Sequence, residues 1–97
     1  MAVGIILEWD GFDTSDYDGV CERIGFPANW PEALISHAAG QSEEGLRLTE
    51  IWESREDFDR WIENVIQPAV GEIAGDRVQD SPPNFVEFSL HRYETRE

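Results

Sequence analysis

His37 lies in the stretch LISHAAGQ and Glu50 in LRLTEIW, with SEEG between them. Both flanking stretches alternate in the two-residue period of strands, so the segment reads as a β-hairpin. A carboxylate beside an imidazole orients the ring and raises its basicity, which is the arrangement of a proton-transfer pair. Whether the two residues meet depends on register. With SEEG as a four-residue loop, Gln41 faces Leu46 and His37 stands opposite Glu50. With EEG as a three-residue loop closed by a left-handed glycine, Ser42 faces Leu46, His37 meets Ile51, and Glu50 points to the other side. The first register is slightly favoured. Against the catalytic reading stands a plainer one, in which Glu50 is a hydrogen-bonding fixture near a subunit seam or a solvated strand-end acid.

Other residue types offer further chemistry. Flat indoles at Trp9, Trp30 and Trp52 suit a slot for an aromatic molecule, and their N–H groups suit a carbonyl. The competing role is filling a small core, which is the stronger expectation for Trp61. Trp30, between two prolines, suits a lid or a subunit contact. Towards the end of the chain Glu87, Ser89, His91 and Tyr93 recur on one strand face and would line the mouth of a site there. Catalysis is therefore assigned to His37 and Glu50, and substrate contact to Trp52, Trp30, Trp9, Tyr93 and His91. A metal held by His37, His91 and Glu87 or Glu50 lacks any supporting H-x-x-x-H or H-x-x-E spacing, so no metal ligands are expected. Arg47 and Arg92 are candidates to neutralise a buried acid or an anionic ligand, with surface pairing the commoner role.

Composition narrows the field. The chain has 97 residues, a net charge of −14 and no lysine. Phosphate backbones and anionic membranes need basic clusters, so neither nucleic acid nor a membrane is an expected partner. Lysine Schiff-base chemistry is excluded. The single Cys21 excludes an internal disulfide and a cysteine zinc cluster, and its place on an apolar helix face suggests a structural thiol. No glycine-rich phosphate loop and no G-x-S-x-G element occurs. The apolar start MAVGIILEW lacks the basic flank of a signal peptide and the length of a membrane span, and a cytoplasmic location is expected.

The positioning elements follow from pattern. AVGIILEW (2–9) reads as a strand apolar on both faces. DTSDYDGVCERIG reads as a helix capped by Asp13 or Thr14, with Tyr17, Val20, Cys21 and Ile24 on one face and Gly25 as its left-handed C-cap. After a proline loop come the hairpin strands, then a helix opened by the capping box SRED at Ser54. Phe58, Trp61, Ile62, Val65, Ile66, Ala69 and Ile73 share its face, and Pro68 within it should kink or divide it. The charges of ESREDFDRWIE read as a solvated helix face with i,i+4 pairs. GDRVQDSPPN (75–84) reads as a loop, FVEFSLHRY as a last strand, and ETRE as a frayed tail. The order βαββαβ is the ferredoxin-like α+β motif: one domain over 1–97, a four-stranded antiparallel sheet with both helices on one face. A sheet apolar on both faces but covered on one should meet a second copy of itself through a two-fold contact.

LISHAAG and EEGLRLTEIWESREDFDRWIENVIQPAV, in this order of elements, resemble the dimeric α/β-barrel superfamily, and within it the small antibiotic-biosynthesis-monooxygenase-like proteins of its uncharacterised branch. The likeness is best over 34–70, with the strand–Trp–Glu–Ser–helix junction at Trp52 its most distinctive part. The resemblance implies a homodimer whose two sheets form an eight-stranded barrel, and a pocket in each subunit between sheet and helices. It also implies a range of activities that includes cofactor-independent oxygenation of aromatic polyketides and quinols. The haem-degrading branch is disfavoured, because the first strand here has no asparagine and the second helix no histidine. The expectation is an enzyme that acts on a small aromatic or ketonic metabolite without a bound metal or organic cofactor, His37 being its base. The alternative is a non-catalytic small-molecule-binding or dimerisation domain.

Overall fold

The computed structural model describes residues 2–75 and 83–96. The apolar run forms β1, Val3–Trp9, whose odd-numbered residues are buried. Helix α1, Thr14–Ile24, begins at Asp13, whose carboxylate accepts the Asp16 N–H while the Asp16 carboxylate accepts the Asp13 N–H. Gly25 ends it at φ 81°, a left-handed conformation that costs glycine little. Strands β2, Leu34–Ser42, and β3, Gly45–Trp52, follow. Helix α2, Arg55–Trp61, starts at Ser54, whose hydroxyl accepts the Asp57 N–H and donates to the Asp57 carboxylate. Asp57 thus takes the cap's hydroxyl hydrogen.

Pro68 divides the second helical segment, and a π-helical turn absorbs the division. Residues Ile62–Ile66 widen into this turn, with the Gln67 N–H donating to the Ile62 carbonyl, before α3, Gln67–Ala74. The extra residue rotates the buried face downstream. The single-helix pattern put Ala69 and Ile73 inward; the structure buries Ala69 together with Val70 and Ala74 and leaves Ile73 at 37% exposure. Of the loop read at 75–84, residues 76–82 lie outside the described residues.

Strand β4 is Asn84–Ser89, shorter than the expected 85–93. It pairs with β1, and Ser89 already stands opposite Val3, so little partner strand remains beyond it. One more bond, from the Leu90 N–H to the Ala2 carbonyl, closes the ladder. The sheet is antiparallel in the order β2-β3-β1-β4, with the helices against one face. This is the ferredoxin-like α+β fold read from the sequence. No helix among the described residues is long and apolar enough to cross a membrane.

The core lies in two clusters on the helix side. One gathers Leu7, Trp9, Phe12, Val20, Leu46, Val70 and Ala74 under α1 and α3. The other gathers Val3, Ile5, Leu34, Trp52 and Phe58 under α2. Charged pairs tie the helices down. Arg23 of α1 grips Glu72 of α3 with two bonds, and Arg55 of α2 reaches both Asp59 and Glu87 of β4. The i,i+4 pair Arg55–Asp59 is of the kind expected for this exposed helix face.

Ser54 should carry a measurable share of stability. The Ser54 hydroxyl, then Arg60, hold the Asp57 carboxyl below its ordinary value. A depressed carboxylate contributes stability that is present above its unfolded value and lost as pH falls through the folded one. Ser54→Ala should cost about 1 kcal/mol near neutral pH, and the loss should shrink in acid. Urea titration at neutral and low pH checks both parts.

Candidate functional site

The β2–β3 ladder places His37 opposite Glu50 and Gln41 opposite Leu46. This is the first of the two registers, though the strands run further than expected: Ser42 pairs with Gly45, leaving a two-residue turn at Glu43 and Glu44. A bulge between Leu34 and Ser36 lies at the other end of β2. Because β3 alternates, Leu46, Leu48, Glu50 and Trp52 face the helices, while Arg47, Thr49 and Ile51 face the open side.

Glu50 is 8% exposed, a buried acid among apolar neighbours. Its burial is made tolerable by two donors. His37 Nδ1 lies 2.5 Å from Oε2, and the Trp52 indole N–H donates to Oε1 at 3.0 Å. A carboxylate accepts and does not donate, so Nδ1 donates to it, and in the neutral ring Nε2 is then the acceptor. The Tyr17 hydroxyl, on α1, meets that nitrogen at 2.5 Å. The Cys21 thiol lies one helical turn on, on the same face of α1. The result is a continuous polar line Trp52–Glu50–His37–Tyr17 through an apolar interior. Burial is the main cause that pushes the Tyr17 phenol well above its ordinary value, joined by the contact with Cys21 and the charges of Glu50 and Asp18. Burial likewise raises the Cys21 thiol, which keeps it protonated and a weak nucleophile.

A cavity of about 70 Å³ lies between sheet and helices, at the junction of the two core clusters. His37, Glu50, Tyr17 and Cys21 reach it from the sheet and α1. The rest of the wall is apolar, including Trp9, Leu48, Phe26, Phe58, Trp61, Ile62 and Ile66. The Phe26 ring meets His37 edge-on at 5.0 Å between centroids, and Tyr17 lies nearly parallel to the imidazole at 5.9 Å. Ile62 and Ile66 are the first and last residues of the π-helical turn, so that irregular turn forms part of the cavity wall.

The other residues singled out from sequence divide. Trp9 walls the cavity and stacks on Phe12 at 4.2 Å. Trp52 is 1% exposed and acts on Glu50 rather than on the cavity space. Trp30 stacks on Phe26 and donates to the Leu34 carbonyl at 2.6 Å, fastening its loop to β2 outside the cavity wall. Trp61, expected in the core, also lines the cavity.

His91 and Tyr93 lie past the end of β4, exposed in the single subunit and outside the cavity wall. Glu87 and Ser89 pair with Ile5 and Val3 and so lie on the helix side, not on the open face where a partner sheet would sit. Glu87 is held by Arg55. Among the described residues no three His, Cys, Asp or Glu side chains are grouped to hold a metal. Arg92 pairs with Glu94, and Arg47 stands opposite Glu8 on the open side, so neither neutralises Glu50.

Sequence reasoning missed Tyr17 and Phe26 as site residues. The signal for Tyr17 was present: it is the one hydroxyl-bearing residue on the apolar face Tyr17–Val20–Cys21–Ile24. Its partner could not be named without knowing that α1 lies across β2.

No family model matches the sequence, and no curated protein does. Solved structures share the fold. The chain superposes on SnoaB, a cofactor-independent oxygenase from Streptomyces nogalater, with a TM-score of 0.61 and 10% identity over 95% of each chain. A monooxygenase from the gene ActVA-Orf6 of Streptomyces coelicolor, in complex with nanaomycin D, gives 0.57 and 16% over 99% of this chain and 92% of that one. A dimeric protein of unknown function and ferredoxin-like fold from Bacteroides fragilis gives 0.62 and 11% over 92% and 96%. At these identities the likeness shows the fold, which the chain shares both with oxygenases and with a protein of unknown function.

The half-buried phenol makes a direct prediction. In a Tyr93→Phe variant, Tyr17 is the remaining tyrosine. Its phenolate absorbance should appear above the ordinary range near 10. A group with a raised folded value contributes stability that is complete below its unfolded value and is lost as pH climbs through the folded one, so unfolding should accompany the ionisation. A midpoint near the ordinary value in folded protein would contradict the burial of the hydroxyl.

Proposed function

We propose that the chain is a cofactor-independent monooxygenase-like enzyme acting on a small aromatic or ketonic metabolite, with His37 as its base, and that it works as a homodimer. One observation carries the enzymatic part: an imidazole backed by a buried carboxylate opens onto an apolar cavity. Electron-rich phenols and enols react with oxygen once deprotonated, so the protein needs chiefly a base and a dry, shaped space. For a phenol with a free para carbon the balance is phenol plus O₂ giving quinone plus water. One oxygen atom becomes the new carbonyl and the other leaves as water. Glu50 stabilises the imidazolium, and Trp52 holds Glu50 in place.

The cavity of about 70 Å³ is roughly half of the ~150 Å³ void that admits benzene. An aromatic substrate therefore enters by displacing wall side chains, and the π-helical turn carrying Ile62 and Ile66 is the wall segment with irregular geometry. The same small volume favours the second reading, a non-catalytic domain in which the polar line is a structural fixture.

The dimer reading rests on the open sheet face. Ile6, Ile51, Val86 and Phe88 lie there, with Val86 51% and Phe88 44% exposed in the single subunit. Phe88 lies flat across Gly4, where an added Cβ would stand 2.1 Å from the ring. An apolar face of this kind is suited to a two-fold contact with its copy, and the Bacteroides fragilis neighbour is described as dimeric.

Oxygen uptake with a panel of quinols should be catalysed by the parent and fall to the uncatalysed rate in His37→Ala. Equal turnover by the variant would remove His37 as the base. Sedimentation at micromolar concentration should give a dimer, and Phe88→Asp should shift it to a monomer. A well-folded parent monomer would sink the dimer reading.

A further inference from the structure

The proposed base does not meet the cavity bare. Nδ1 of His37 is occupied by Glu50 and Nε2 by the Tyr17 hydroxyl, each at 2.5 Å. Phe26 covers the ring from its edge. A molecule in the cavity therefore reaches the imidazole lone pair by displacing Tyr17 or by acting through it. Resting on the assignment of His37 as base, we infer that Tyr17 is the catalytic residue that touches substrate, the outer member of a proton relay whose inner member is His37.

The step is a double proton transfer without electron transfer. The acidic bond of an enol, phenol or α-carbon breaks and its proton forms a new O–H bond on Tyr17. The hydrogen already on Tyr17 passes to His37 Nε2, leaving a substrate anion and an imidazolium held by Glu50. The hydrogen-bond inventory allows it. A hydroxyl has one hydrogen and two acceptor positions. With a neutral imidazole the hydrogen is spent on His37. Acceptor capacity remains on the oxygen of a residue that lines the cavity.

The electrostatics favour passage through Tyr17 over storage on it. The titratable and charged groups facing the phenol are His37 and Glu50 from the sheet and Cys21 and Asp18 from its own helix. Burial and the nearby acids disfavour a phenolate. A free-standing tyrosinate base is thus a poor choice for this site, whereas a phenol that receives one proton as it gives another stays neutral throughout.

The test separates the proton step from oxygen chemistry. Anaerobic exchange of the α-hydrogens of 2-tetralone in deuterated water, followed by proton NMR, reads deprotonation alone. His37→Ala should fall to the solvent rate, and folded Tyr17→Phe should lose about a hundredfold, the scale of one general acid–base group. Nitrogen NMR should show His37 Nε2 losing its hydrogen-bond donor in Tyr17→Phe. Incorporating 3-fluorotyrosine into a Tyr93→Phe background leaves the shape of the site and makes the Tyr17 hydroxyl a stronger proton donor and a weaker acceptor, so the exchange rate at fixed neutral pH should change severalfold; a purely structural phenol would leave it in place. Should Tyr17→Phe fail to fold, the fluorotyrosine rate decides. Exchange by Tyr17→Phe at or above the parent rate, with His37→Ala inactive, overturns the relay and leaves the base. An unchanged Nε2 signal or an unchanged fluorotyrosine exchange rate overturns it too. An active His37→Ala, or a parent no faster than solvent, removes the base and the relay together.

Discussion

A carboxylate shut away from water must be met by donors, and that requirement organises the interior of this domain. Glu50 lies on the helix side of β3, where burial of an unpaired charge would cost several kcal/mol. Two donors from different places meet it: Trp52 two residues along the same strand and His37 across the hairpin. The histidine in turn needs a donor for its other nitrogen, and α1 supplies Tyr17. Each group in the line is satisfied by the next. Removing Glu50 would strand two buried donors at about 1–3 kcal/mol each, so the line constrains sheet and helix together whatever chemistry it performs.

How much of this is legible in the sequence depends on how local the cause is. Caps at Asp13, Gly25 and Ser54 are short-range hydrogen bonds and backbone preferences, and pattern alone finds them. The His37–Glu50 pairing is readable up to a choice between two turn lengths, because period-two alternation fixes a strand's faces but not its register. The break at Pro68 is foreseeable, yet its form is not. A π-helical turn shifts the buried face by one residue, so Val70 and Ala74 pack where a continuous helix would have placed Ile73. That β4 stops short of His91 and Tyr93 is likewise non-local, since its ladder follows β1 and ends where Ser89 meets Val3. Tyr17 escaped notice for the same kind of reason: its helix face is plain in the sequence, but its partner lies on a strand that only the packing brings near.

The cavity has an energetic meaning of its own. At about 24 cal/mol per Å³, a void of 70 Å³ costs on the order of 2 kcal/mol, a large fraction of the stability of so small a domain. It persists where the two core clusters meet and where the helical segment widens at Ile62–Ile66. A regular helix would set different side chains there. The divided core, the proline and the void are therefore three aspects of one departure from ideal packing, next to the most polar line in the interior. Departures of this kind are expected where function competes with stability.

The alternation of β3 binds the site to the open face of the sheet. Glu50 and Trp52 point to the helices, while Thr49 and Ile51 point away. A slip of one residue against β2 would set Ile51 beside His37 and turn Glu50 onto the open side, placing a charge in the apolar patch of Ile6, Val86 and Phe88. The pairing of Ser42 with Gly45 at the hairpin turn prevents this. That short turn therefore protects two things at once, the acid that backs the imidazole and the apolar surface on the far side of the same strand. Selection for either would preserve the other, so a well-formed polar line is not by itself a mark of catalysis. What bears on catalysis is that Tyr17, bonded to His37 at one end of the line, also lines the cavity.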